Sequence, residues 1–96
     1  MTFSIDPKRF RKTAPFIQVI DAVPAKGWQT VAENAAAAGV SREVSAPNLR
    51  KAAKARILVV NSAISPMRYR RATRAELGKD ELAVLKQIDE ARLALK

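Results

Sequence analysis

The sequence predicts an α+β fold, mostly α, in which helices precede a short β-hairpin and a C-terminal helix follows it. Three observations support this prediction. Apolar residues recur at helical spacing near both ends of the chain. Residues that typically start and stop helices occur in the middle. A run of β-branched residues is followed by a stretch in which polar and apolar residues alternate. A length of 96 residues is typical of a single domain.

The first two helices are predicted from their apolar spacing and their end residues. Phe16, Ile17, Ile20 and Val23 share one helical face, which predicts a core helix over 14–22. The cluster at 24–27 ends it. A capping box at Thr30 and Glu33 predicts a second helix over 31–38, and Gly39 supplies its left-handed stop.

A third helix follows after a turn over 41–44. Ser45 is a suitable N-cap, which would place Pro47 in the first turn, where its missing N–H costs little. The helix would then run from about Ala46 to Arg56. Its predicted inward residues are Leu49, Ala52, Ala53 and Ile57, and its predicted outward residues are Asn48, Arg50, Lys51 and Lys54.

A β-hairpin is predicted from the runs 57–60 and 67–72, joined by a polar loop. A second capping box at Thr73 and Glu76 predicts that a last helix begins there and continues to the C-terminus, with Gly78 a weak point.

The last helix carries an apolar seam that predicts a homodimer. The seam has the 4-3-4 spacing of a coiled coil, and its residues are Val84, Ile88, Ala91 and Leu95. The alternative is that the same helix closes the core of the monomer.

Composition argues against an enzyme. The chain has no Cys and no His, which excludes disulfides, thiolate ligands, a Cys nucleophile and the commonest general base. Paired carboxylates, a glycine-rich phosphate loop and a metal-ligand cluster are also missing from the sequence, so neither a cofactor nor a metal is expected. No apolar run approaches the length of a membrane span, and we expect a cytoplasmic, nucleoid-associated protein that does not bind membranes.

The positive charge is concentrated in one part of the chain. The formal net charge is +9, and residues 42–74 hold nine basic residues against one acidic residue. An N-terminal arm over 1–12 adds Lys8, Arg9, Arg11 and Lys12. Such a basic patch indicates nucleic-acid binding, and the alternative is a solvated surface that aids solubility.

One segment resembles a known family. Gly39-Val40-Ser41-Arg42-Glu43, followed by Leu49-Arg50-Lys51, Ala55 and Ile57-Leu58, is similar to the recognition segment of bacterial winged helix-turn-helix regulators of the catabolite-activator and gluconate-repressor types. The resemblance covers 30–72 and implies a winged helix-turn-helix domain over 13–72, with a C-terminal element over 73–96. The chain differs from those families at Val44, Pro47 and Ala52, so candidate contacts are assigned from their own chemistry.

A helix in the major groove needs polar side chains near base edges and cations near phosphates. Asn48 is the candidate for reading adenine. The hydroxyl groups of Ser41 and Ser45, together with Arg42, would contact phosphate at the turn. The hairpin arginines would lie along the minor groove. Ser45 has a second interpretation as a helix cap only, and Trp28 is either a base-stacking residue or a core residue. The candidate DNA-binding residues are Ser41, Arg42, Ser45, Asn48, Arg50, Lys51, Lys54, Arg68, Arg70 and Arg71.

The expected function is sequence-specific binding of double-stranded DNA by a small transcriptional regulator, a repressor or a phage-type accessory factor. Two alternatives stay open. One is a protein-binding adaptor or inhibitor built on the same scaffold, with an acidic protein partner, and the other is an RNA-binding factor.

Overall fold

The computed structural model describes residues 14–94, and its fold is α+β and mostly helical, as predicted. The predicted N-terminal arm and Leu95 lie outside the described residues. The elements in chain order are α1 (Ala14–Asp21), β1 (Gln29–Thr30), α2 (Val31–Ala38), α3 (Arg42–Lys54), β2 (Leu58–Asn61), β3 (Arg68–Arg71), a 3-10 turn (Arg74–Glu76) and α4 (Lys79–Ala94).

Helix α1 lies at the centre of the core. The predicted helix over 14–22 is confirmed, and its apolar face buries Phe16, Val19 and Ile20. It packs against α2, α3 and α4. The guanidinium of Arg92 on α4 donates to the Asp21 carboxylate, with Nε and Oδ2 3.1 Å apart, and so ties the last helix to the end of the first.

The ends of α2 follow the prediction. The Thr30 N–H donates to Glu33 Oε1 at 3.0 Å, and the Glu33 N–H donates to Thr30 Oγ1 at 3.2 Å, which completes the capping box. These bonds to Thr30 hold the pKa of the Glu33 carboxyl below its usual value. Gly39 has φ of 72°, a left-handed conformation that glycine adopts without steric cost, and it ends the helix.

The predicted start of α3 is wrong. The helix begins at Arg42, with Ser41 as its extended N-cap, and the Ser45 N–H bonds to the Ser41 carbonyl at 2.9 Å. Ser45 therefore lies inside the helix and not at its cap. Pro47 also lies inside, where it removes the N–H that would bond to the Glu43 carbonyl, and both residues are exposed, so water can reach that carbonyl.

A tight turn joins α3 to the hairpin. Ala55 caps the helix, and Arg56 adopts φ of 63°, the only left-handed non-glycine residue among those described. The Ile57 N–H then bonds to the Ala52 carbonyl at 3.2 Å. This pairing satisfies the carbonyl groups at the helix end and sends the chain directly into β2.

The predicted hairpin is confirmed and belongs to a three-stranded antiparallel sheet of order β1-β3-β2. Tyr69 on β3 lies opposite Val60 on one side and Gln29 on the other. The sequence did not predict β1, which has only two residues and forms by pairing with β3.

The single last helix predicted from Thr73 onward is wrong. The capping box at Thr73 and Glu76 is present, but it opens only the 3-10 turn. Leu77 is extended, with ψ of 119°, and α4 begins at Lys79, after Gly78. Glycine loses more backbone entropy than other residues in a helix, which favours a break at this position.

The predicted dimer seam lies largely inside the monomer. Val84 and Ile88 are 2% and 1% exposed in the main hydrophobic core, and Ala91 packs against it. These residues therefore close the monomer's own core, the alternative given above. No helix in the described part of the chain is long and apolar enough to cross a membrane.

Candidate nucleic-acid interface

The outward face of α3 presents three cations. Arg50, Lys51 and Lys54 are exposed, and they lie opposite the buried residues Leu49 and Ala52. Within residues 14–94, none of the three side chains forms a hydrogen bond or a salt bridge. The face is therefore an unpaired band of positive charge along one side of the helix.

The N-terminus of the same helix adds polar groups. Ser41 is exposed and its side chain makes no capping hydrogen bond, and Arg42, also exposed, is the first helical residue. The first backbone N–H groups of a helix lack partners within the helix, so a phosphate near Ser41 would meet both those donors and the Arg42 guanidinium. These two predicted residues are thus placed where an anion can approach.

Asn48 lies on a different side of α3 from Arg50, because residues two apart on a helix do not share a face. Its side chain is half-buried, and Nδ2 donates to the Val44 carbonyl at 2.8 Å. That bond uses one N–H of the amide. The second N–H and Oδ1 have no partner among the described residues, so the amide retains one donor and one acceptor.

Ser45, a candidate DNA contact in the sequence, faces the interior of the protein. Its side chain is fully buried, and Oγ donates to Oδ1 of Asn34 at 2.7 Å. Asn34 in turn donates to the Val19 carbonyl at 3.0 Å and to Gln29 Oε1 at 2.9 Å. The hydroxyl belongs to a polar network that joins α1, β1, α2 and α3.

The three hairpin arginines have three different environments. Arg68 is exposed, and its side chain forms no hydrogen bond within the described residues. Arg70 forms a two-point salt bridge with Glu76, at 2.7 and 2.8 Å, and its guanidinium lies 5.2 Å from the ring centroid of Trp28. Trp28 is 41% exposed, so it is not the core residue that one of the two interpretations expected.

The contacts of Arg70 have electrostatic consequences. The hydrogen bonds from Arg70 and from the Thr73 backbone lower the pKa of the Glu76 carboxyl to about 2, and the bond with Glu76 raises the pKa of Arg70. Arg70 is thus largely engaged within the protein and is less free than Arg68 to meet a phosphate.

Arg71 is exposed, but its guanidinium bonds to the backbone at the end of α1. Its Nε donates to the Val23 carbonyl at 2.7 Å, and Nη2 donates to the carbonyls of Ile20 and Asp21 at 3.4 and 3.5 Å. A cation at the C-terminal end of α1 satisfies carbonyls that the helix leaves unpaired. Of the predicted arginine trio, only the Arg68 side chain is without a hydrogen bond among the described residues, and its charge adds to the Thr30 hydrogen bonds in lowering the pKa of the Glu33 carboxyl.

A groove separates the C-terminal half of α3 from the hairpin, with a volume of about 300 Å³. Its floor is apolar and consists of Ala53, Val60, Met67 and Tyr69. Arg50 and Lys54 form its edge on the α3 side. Burial raises the pKa of the Tyr69 hydroxyl, and the nearby charge of Arg50 opposes this effect.

Two features of this arrangement were not predicted from the sequence: the role of Asn34, and the place of Val60 and Met67 in the groove. The sequence gives one indication of the role of Asn34, because it is the only amide in α2 and four alanines follow it. Nothing in the sequence indicates that Val60 and Met67 lie beside α3, because their position there depends on how the hairpin packs against the helix.

No protein-family model matches the chain, and no curated protein or solved structure shows significant similarity to it.

Proposed function

We propose that the chain is a winged helix-turn-helix protein that binds double-stranded DNA. In this proposal α2 and α3 form the helix-turn-helix, α3 lies in the major groove, and the β2–β3 hairpin is the wing that lies along the neighbouring backbone and minor groove. The protein would act by occupying its site, as a small regulator of transcription without catalytic activity.

The observation that carries the proposal is the concentration of exposed, unpaired cations on α3 and at the start of β3. Arg70, Arg71 and Arg92 all make hydrogen bonds within the fold. Five other cations, four on α3 and one at the start of β3, make no side-chain hydrogen bond within the described residues, and all five are exposed. These unpaired cations are Arg42, Arg50, Lys51, Lys54 and Arg68.

Unpaired cations at neighbouring positions repel one another, so each requires an anionic partner or water. A polyanion with regularly spaced charges satisfies several of them at once, and it releases its own counterions when it does so. Asn48, at the side of the same helix, retains one donor and one acceptor for a base edge.

Fluorescence anisotropy with labelled duplex DNA tests this proposal. Five phosphate contacts predict that log K falls with log salt at a slope of about −4 to −5. Replacing Arg50, Lys51 and Lys54 together by Gln should reduce the magnitude of the slope by about 3.

The matched control is Lys86→Gln, which removes one exposed cation from α4 and should leave the slope unchanged. Undetectable duplex binding at about 50 mM salt would refute the proposal, because non-specific binding depends on the phosphate contacts alone. Tighter binding to a structured RNA than to duplex DNA would favour the RNA-binding alternative.

A further inference from the structure

We infer that the groove between α3 and the hairpin holds the deoxyribose and phosphate groups of one DNA strand, and that its apolar floor favours DNA over RNA. This inference rests on the proposed function and extends it to a specific binding surface. Beside Arg50 and Lys54, it adds to the contact uncharged side chains that the DNA-binding prediction did not include.

The position of the groove follows from the two elements that border it. If α3 enters the major groove and the hairpin reaches the neighbouring minor groove, the backbone strand between those two grooves must pass between α3 and the hairpin. That space is the groove, with Arg50, Ala53 and Lys54 on one side and Val60 and Met67 on the other.

The chemistry of the groove matches a sugar–phosphate strand. Arg50 and Lys54 are one helical turn apart on its edge and point cationic groups toward solvent, where phosphates would lie. Ser62 adds a hydroxyl at the hairpin edge. The surface between these polar edges is apolar, which fits the carbon face of a sugar and not a second charged group.

The side chains of the floor are accessible to a ligand. Val60 and Met67 are 40% and 42% exposed, although both belong to or flank the sheet. Tyr69, at 2% exposed, supports the floor from below. Exposed apolar side chains that lie together in a groove between cations are typical of a binding surface.

The same floor discriminates between sugars. A ribose would place its 2′-hydroxyl near an apolar surface with few partners, and a polar group buried without a hydrogen bond is disfavoured. Deoxyribose has only a C–H group at that position. The groove should therefore bind a DNA strand better than an RNA strand of the same sequence.

The test compares the wild-type protein with the double variant Val60→Thr/Met67→Gln, which keeps the size of both side chains and makes them polar. We expect its affinity for duplex DNA to fall by about tenfold, because apolar contact area is lost. The slope of log K against log salt should stay unchanged, since no phosphate contact is removed.

The control is Leu82→Gln, which makes the same kind of change at an exposed leucine on α4, outside the groove. This variant should bind DNA like the wild type. Circular dichroism and thermal melting verify that all three proteins are folded to the same extent.

A second measurement uses a DNA–RNA hybrid duplex of the same sequence. The wild type should prefer DNA over the hybrid, and the preference should shrink at least threefold in the double variant. The difference in duplex shape affects both proteins equally, so the change in preference reports on the groove itself.

Unchanged DNA affinity in the double variant, within twofold, would overturn the inference while leaving the proposed function intact. A change in the salt slope without a change in the DNA preference would also overturn it, because the side chains would then act through phosphate contacts. If the wild type bound no duplex, the proposed function itself would fail, and the inference with it.

Discussion

The hydroxyl of Ser45 donates a hydrogen bond to Oδ1 of Asn34 at 2.7 Å, in a region where both side chains are fully buried. The bond joins α2 to α3, and the amide of Asn34 extends the network to α1 and β1. No buried side-chain nitrogen or oxygen in the described part of the chain lacks a partner. The angle between the two helices is thus held by directional bonds as well as by packing.

Removing the Ser45 hydroxyl should destabilise the protein. Ser45→Ala leaves the side-chain oxygen Oδ1 of Asn34 buried without a donor. The expected loss is about 1–3 kcal/mol in the free energy of unfolding, and urea denaturation measures it. The control Ser65→Ala lies in the exposed hairpin loop and should change stability by less than about 0.5 kcal/mol. Equal stabilities of the two variants would show that the network contributes nothing.

A glycine at position 56 should stabilise the protein. Arg56 holds φ of 63°, which costs a residue with a Cβ atom about 1 kcal/mol, and glycine avoids that cost. Arg56→Gly is therefore expected to raise the melting temperature by several degrees. Arg56→Ala removes the same charge but keeps the Cβ atom, so it should not. A lower melting temperature for the glycine variant than for the alanine variant would contradict this explanation.

The Arg70–Glu76 pair predicts a pH dependence. The folded-state pKa of Glu76 is about 2, below its usual value of 4.5, so the contribution of the pair to stability is fully present above pH 4.5 and is lost as pH falls toward 2. Carboxyl titration by NMR should show this low pKa. In Arg70→Gln the pKa should rise but stay below 4.5, because the Thr73 N–H still bonds to the carboxylate. A Glu76 pKa that did not change in this variant would exclude Arg70 as its main cause.

Replacing Arg68 should affect DNA binding, whereas replacing Arg71, at the other end of β3, should affect stability. Arg71→Gln removes a cation that bonds to three carbonyls at the end of α1, and it should destabilise the protein by about 1 kcal/mol or more in thermal or urea unfolding. Arg68→Gln should leave stability unchanged and reduce the DNA salt slope by about 1. A stability loss in Arg68→Gln similar to that in Arg71→Gln would contradict this division.

Local chemistry explains which elements were predictable. The capping box at Thr30 and the left-handed Gly39 depend on residues within one or two turns, so the sequence is sufficient to predict both ends of α2. The capping box at Thr73 is equally local, but it opens only a 3-10 turn. The hairpin was predictable from its β-branched and alternating residues. Gly78 is a weak point in the helix that the sequence predicts, and the structure starts α4 only after it.

The start of α3 shows where local reasoning failed. Ser41 and Ser45 are both suitable N-caps, and Pro47 favoured Ser45. The structure selects Ser41 because the Ser45 hydroxyl satisfies Asn34 in the core, 11 positions earlier in the chain. A bond between two helices outweighs the preference of a proline for the first turn.

The sequence by itself therefore determined the fold class, both ends of α2 and the concentration of positive charge along the chain. Only the tertiary structure decided which of those charges are free. Arg71 and Arg92 look like the other cations in the sequence, but Arg71 bonds to carbonyls at the end of α1 and Arg92 bonds to Asp21 only because distant elements meet. Val84 and Ile88 likewise have the spacing of a dimer seam, and they are buried in the monomer because α4 packs against α1. Hydrogen bonding and burial depend on contacts between residues far apart in the chain, and the spacing of residues in the sequence does not show these contacts.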